Sequence, residues 1–137
     1  MKNIFIDTNI IIDLLSRRDP FYDESAELFS LADQKKVELN ISSLTIANTS
    51  YTLLRKLDST KTKEILRKLR LLVKVLPLYD KIIGLALNDN SFVDFEDSLQ
   101  YFTAIENGQE LIITRNLKDF KALKIPTMTA RQFIETL

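Results

Sequence analysis

The chain has no histidine, no cysteine and no tryptophan, and holds only two glycines, Gly84 and Gly108, among 137 residues. Without histidine there is no Ser-His-Asp triad, no imidazole general base and no His-ligated zinc. Without cysteine there are no disulfides and no thiolate sites, which is compatible with a reducing cytoplasm, the expected location. Two isolated glycines cannot build the Gly-rich phosphate loop of P-loop or dinucleotide-binding proteins. No apolar run approaches the roughly 18 residues that a membrane span needs. Met1-Lys2-Asn3 leads straight into a strand-like run, so a signal peptide is not expected. Any hydrolysis must therefore be run by carboxylates, hydroxyls, lysines or a bound metal.

What is present fits one globular domain over residues 1–137, with a hydrophobic fraction of 45%. Net charge is zero but unevenly spread. Arg55 to Lys74 is basic, with Arg67 near its centre, whereas Asp80 to Asp97 is acidic. A basic helical face beside an acidic pocket suits a phosphodiester substrate; the same basic run also reads as a solvated helix face.

Strand and helix signals alternate. Asn3–Ile6 reads as a strand, followed by a helix through Leu15. Asp19-Pro20 marks a second helix running to about Lys36, and Val37–Ile41 alternates as a strand. Ser42-Ser43 can cap a helix from Leu44 to Leu57, and a basic amphipathic helix follows Asp58–Thr60. Val75–Leu78 reads as a strand whose Pro77 suggests a sheet edge. Helices are expected at Tyr79–Leu87 and Phe95–Glu106, then a strand at Glu110–Thr114, a short helix at Leu117–Ala122, a strand at Ile125–Thr129 and a terminal helix from Ala130. This alternation argues for a three-layer α/β/α sandwich around a parallel sheet of four to five strands.

Asp7 closes the first strand, the edge at which open α/β sheets bind ligands. Asp97 and Asp119 fall where the same fold can turn them toward that edge, and their summed charge is tolerable only beside a cation. Each also has a bland reading. Asp7 can cap the first helix, Asp94 and Asp97 can be acids favoured at a helix N-terminus, and Asp119 can be a surface loop residue. Asp94 and Asp97 lie on the flank of a core stripe read as Phe92, Phe95, Leu99, Phe102 and Ile105, in line with Tyr101 and Ala104. Thr114, at a strand end, can orient a water or satisfy backbone. Asn48 shares a helix face with Leu44, Ala47 and Tyr51 and is expected to point inward as a buried amide.

Three segments, Phe5-Ile6-Asp7-Thr8-Asn9, Asp94-Phe95-Glu96-Asp97-Ser98-Leu99-Gln100 through Ala104, and Ile113-Thr114-Arg115-Asn116-Leu117-Lys118-Asp119-Phe120, resemble the PIN-domain family, in particular its VapC-like toxin ribonucleases. The resemblance spans essentially the whole chain. It implies that Asp7, Asp97 and Asp119 hold Mg²⁺ or Mn²⁺ and are the catalytic acids, with Asp94 as an accessory ligand. Thr8, Asn9, Asn48, Thr114 and Asn116 would surround them, while Arg17, Arg18, Arg67 and Arg115 would hold RNA backbone. The family's second acid falls on Asn48, which cannot neutralise a cation. That departure leaves open a catalytically impaired PIN domain that binds RNA or a protein partner. A small antitoxin partner and a homodimer are further implications of the resemblance.

Overall fold

The computed structural model describes residues 2–120 and 124–137. Its five strands are β1 (Asn3–Ile6), β2 (Glu38–Ser42), β3 (Val73–Leu76), β4 (Leu111–Ile113) and β5 (Thr127–Met128). All neighbouring pairs are parallel, in the order β3-β2-β1-β4-β5. Chain direction across the sheet reverses between β1 and β4, and the crevice at such a switch point is where open α/β sheets bind ligands.

The helices are α1 (Thr8–Leu15), α2 (Tyr22–Asp33), α3 (Ser43–Leu53), α4 (Ser59–Leu72), α5 (Asp80–Asn88), α6 (Phe95–Glu106) and α7 (Ala130–Ile134), with a 3-10 turn at Leu117–Phe120. Side chains of a strand alternate between faces, and here both faces are apolar. Ile4, Ile6, Leu111 and Ile113 enter a core with Ile10 and Ile11 of α1, Leu28 and Phe29 of α2, Leu69 of α4 and Phe133 of α7. Phe5 and Ile112 face the other way, against Tyr101 and Ala104 of α6 and Phe120. Ile82 and Ala86 of α5 pack with Leu99 of α6 in a smaller cluster on that side. Those two cores make the sheet the middle of three layers, as its strand pattern implies. No helix among the described residues is long and apolar enough to cross a membrane.

Several expected boundaries move. Pro20 lies in a turn and α2 begins only at Tyr22, because the Arg18 carbonyl first accepts from the amides of Phe21 and Tyr22. That helix stops at Asp33, short of Lys36, and Lys35 then takes a left-handed φ of 59°. β3 starts two residues earlier than expected, so Val73 belongs to the strand and Pro77 lies just beyond it. The edge position nevertheless holds. The far end of the helix expected at Leu117–Ala122 lies outside the described residues.

The core stripe of α6 is also rotated. Phe95 is exposed, while Leu99, Tyr101 and Ala104 are buried. Apolar Phe95 sits at the first helical position, ahead of the turns that meet the sheet. Asp97 therefore shares the inward face with Tyr101 and Ala104 instead of flanking it.

Candidate active site

Asp7 follows β1 directly and is 5% exposed. It caps α1, accepting from the Thr8 amide at 2.8 Å, and its second oxygen accepts from the Thr114 hydroxyl at 2.8 Å and the Asn9 amide group at 3.3 Å. Its own backbone N–H bonds the Ile113 carbonyl at 2.9 Å. The side chain is thus fixed from both strands of the switch point. The Thr114 hydroxyl is held in turn by accepting from the Asn116 amide at 3.1 Å, so this threonine orients Asp7.

A cleft of about 310 Å³ opens here, its walls including Asp7, Thr8, Asn48, Glu96, Asp97 and Asn116. Arg18 and Tyr51 complete one side of it. Asn48 is half-buried at the cleft wall rather than enclosed, since Ala47 and Tyr51 beside it on α3 face solvent. Its amide nitrogen donates to Glu96 Oε2 at 3.5 Å. Asp94 is the exposed N-cap of α6, accepting from the Glu96 amide at 2.7 Å. Asp119 is exposed in the 3-10 turn, with its amide on the Asn116 carbonyl at 3.0 Å.

The acids feel one another. Burial, then the charges of Asp7, Asp94, Asp119 and Glu96, push the Asp97 carboxyl up to about 7. Burial also raises Asp7, partly offset by its bonds from Thr114 and Thr8 and by the more distant Arg115 charge. Carboxylates crowded until one keeps its proton near neutrality are the oxygen-rich donor set that suits a hard divalent cation. Among the described residues no three acids stand close enough to enclose an ion alone. Waters or amide oxygens would have to complete a coordination shell, as is usual for Mg²⁺.

The four expected basic residues separate in space. Arg18 lines the cleft, and Arg17 stands next to it in a groove of about 410 Å³ shared with Arg18, Arg55 and Lys56. Arg67 is exposed on α4 and is not part of the cleft wall. Arg115 is already engaged: it bridges both oxygens of fully buried Asp13 at 2.7 and 3.1 Å and lies 4.0 Å from the centre of the Phe21 ring.

Two residues of the cleft were not singled out by sequence reasoning. Gln100 is buried, donates to the hydroxyls of Thr8 and Thr45 at 2.9 Å each, and accepts from Ser42. It ties α6 to α1 and α3 behind Asp7. A glutamine three residues after Asp97, next to buried Leu99 and Tyr101 on α6, was the available signal. Glu96 is the other, concealed by its resemblance to an ordinary first-turn acid.

Comparison with known proteins identifies the family and the fold. A family model described as PIN domain matches residues 3–118. Ribonuclease VapC1 of Aquifex aeolicus (strain VF5) is 28% identical, over 98% of this chain and 94% of the relative. The DNA-bound VapBC structure from Salmonella typhimurium superposes with a TM-score of 0.71 at 19% identity, over 95% of this chain and 99% of that one. VapC20 of Mycobacterium tuberculosis, described as a sarcin-ricin loop cleaving toxin, gives a TM-score of 0.66 at 16% identity, over 90% and 98% of the two chains.

Proposed function

The chain belongs to the PIN-domain family, and from that premise we propose that it is a metal-dependent ribonuclease, the toxin of a toxin-antitoxin pair. The observation that carries this reading is the cleft at the β1–β4 switch point, where Asp7 and Asp97 meet and burial, with repulsion from neighbouring acids, pushes Asp97 up to about 7. Asp7, Asp97 and Asp119, with Asp94 nearby, are the residues that would hold Mg²⁺ or Mn²⁺. When bound, such an ion supplies the Lewis acidity that makes water a competent nucleophile and offsets charge on a phosphate.

The chain's own residues supply positioning. Thr114, Asn9 and the Thr8 amide hold Asp7 in one orientation, so little reorganisation is needed when substrate arrives. Asp97 is half-buried on the cleft wall, where its carboxylate is open to a cation. Arg18, on the cleft wall, suits a phosphate of the RNA backbone, and Arg17 extends that positive edge. The VapC1 ribonuclease supports the choice of RNA as substrate, and the VapBC complex supports a small antitoxin as partner. Work in the cytoplasm, as a homodimer, completes the reading.

Asn48 favours a second reading, a PIN domain that binds RNA or a protein without cutting. The two part in one assay. The ribonuclease reading expects Mn²⁺-dependent RNA cleavage by the wild type and its loss in Asp7→Asn; indistinguishable rates would overturn it.

A further inference from the structure

Resting on the metal-ribonuclease reading, we propose that Glu96 is a working carboxylate of this site and that Asn48 is its positioning residue. The negative charge that position 48 lacks then enters the cleft from the neighbouring helix α6.

Two observations support this. Glu96 and Asn48 line the same cleft as Asp7 and Asp97, although they come from different helices. The Asn48 amide group donates to Glu96 Oε2 in that cleft. A first-turn acid needs none of this, because favourable interaction with the helix N-terminus is satisfied by a side chain in open solvent. The backbone beneath Glu96 is also fixed, since Asp94 caps its amide. At 3.5 Å the contact from Asn48 is long, so it aims the carboxylate without locking it.

The exchange of roles follows from side-chain chemistry. Glutamate is one methylene longer than aspartate and can reach inward from a helix start. Asparagine cannot neutralise a cation, but its NH₂ group can donate to a carboxylate that does. Groups that orient a metal-ligating carboxylate typically change metal affinity about 10- to 100-fold when removed.

The test is a calorimetric Mn²⁺ titration of the full chain, paired with RNA cleavage, for wild type, Glu96→Gln, Asn48→Ala and the swap Asn48→Glu/Glu96→Gln. Glu96→Gln should weaken Mn²⁺ binding about tenfold or more, and Asn48→Ala should weaken it less. The swap should regain most of the wild-type affinity, because a carboxylate re-enters from α3. Glu96→Gln binding Mn²⁺ like the wild type, or a swap no better than Glu96→Gln alone, would overturn the role of Glu96 while leaving the nuclease reading intact. A wild type that neither binds Mn²⁺ nor cleaves RNA overturns both. Glu96 is exposed, so the variants should keep the wild-type fold, checked by circular dichroism.

Discussion

Replacing Asp97 by asparagine should stabilise the metal-free protein at alkaline pH, and the size of the effect can be worked out in advance. In the folded chain this carboxyl titrates at about 7, against 3.8 for an unperturbed aspartate, chiefly through burial and then through repulsion from Asp7, Asp94, Asp119 and Glu96. Between those pH values the unfolded chain has lost the proton and the native chain has kept it. The native state therefore binds more protons, its stability falls as pH rises, and the full penalty is in place above about pH 7. At about 1.4 kcal/mol per pKa unit the ceiling is roughly 4 kcal/mol. Water reaches the half-exposed side chain and screens it, so we expect about 1–2 kcal/mol. Asparagine has nearly the same shape and carries no charge. Urea denaturation with a chelator present should find Asp97→Asn more stable than wild type by that amount at pH 8, and the two nearly equal at about pH 4. Saturating Mn²⁺ should reverse the order at pH 8, since binding to the native state stabilises it. Equal unfolding midpoints at pH 8 in chelator would refute the burial and crowding of the Asp97 carboxyl from which the site is argued.

Arg115→Ala should cost about 3–5 kcal/mol in urea denaturation, because it leaves the fully buried Asp13 without its partner. Arg115→Lys should recover only part of that loss, as an ammonium cannot bridge both oxygens in the same way. Gln100→Leu should cost about 1–3 kcal/mol by removing its buried hydrogen bonds to the hydroxyls of Ser42, Thr8 and Thr45, and should lower RNA cleavage through its effect on the Asp7 cap. Gly108 has a φ of +67° and open space where a Cβ would stand, so Gly108→Ala should lose about 1 kcal/mol to backbone strain alone, read from a thermal melt; Gly108→Asn should lose less.

The fold was legible because its signals are local and redundant. Ile4 and Ile6 alternate with Phe5, Ser42 and Asp58 cap the helices that follow them, and every strand is separated from the next by helical spacing. Boundaries slipped where tertiary packing outweighed local pattern, as at Val73, which is helix-like in spacing yet pairs with Leu39 in the sheet. Asp7 was legible as a candidate because one position ends a strand and caps a helix. The partnership of Arg115 with Asp13 was not, since 102 positions separate them and each looks like a surface charge. The contact of Asn48 with Glu96 was hidden for a related reason: it joins two helices, and neither sequence neighbourhood refers to the other.

β1 lies third of five in the sheet, with hydrogen-bonded neighbours on both sides. Fraying that starts at β3 or β5 must travel through β2 or β4 before it can loosen Phe5 and Ile6. Their amides should consequently be among the slowest in the chain to exchange with deuterated solvent, opening only when the whole molecule does. Asp7, which follows Ile6 directly, thus inherits the longevity of the entire fold, while the outer strands are free to open first.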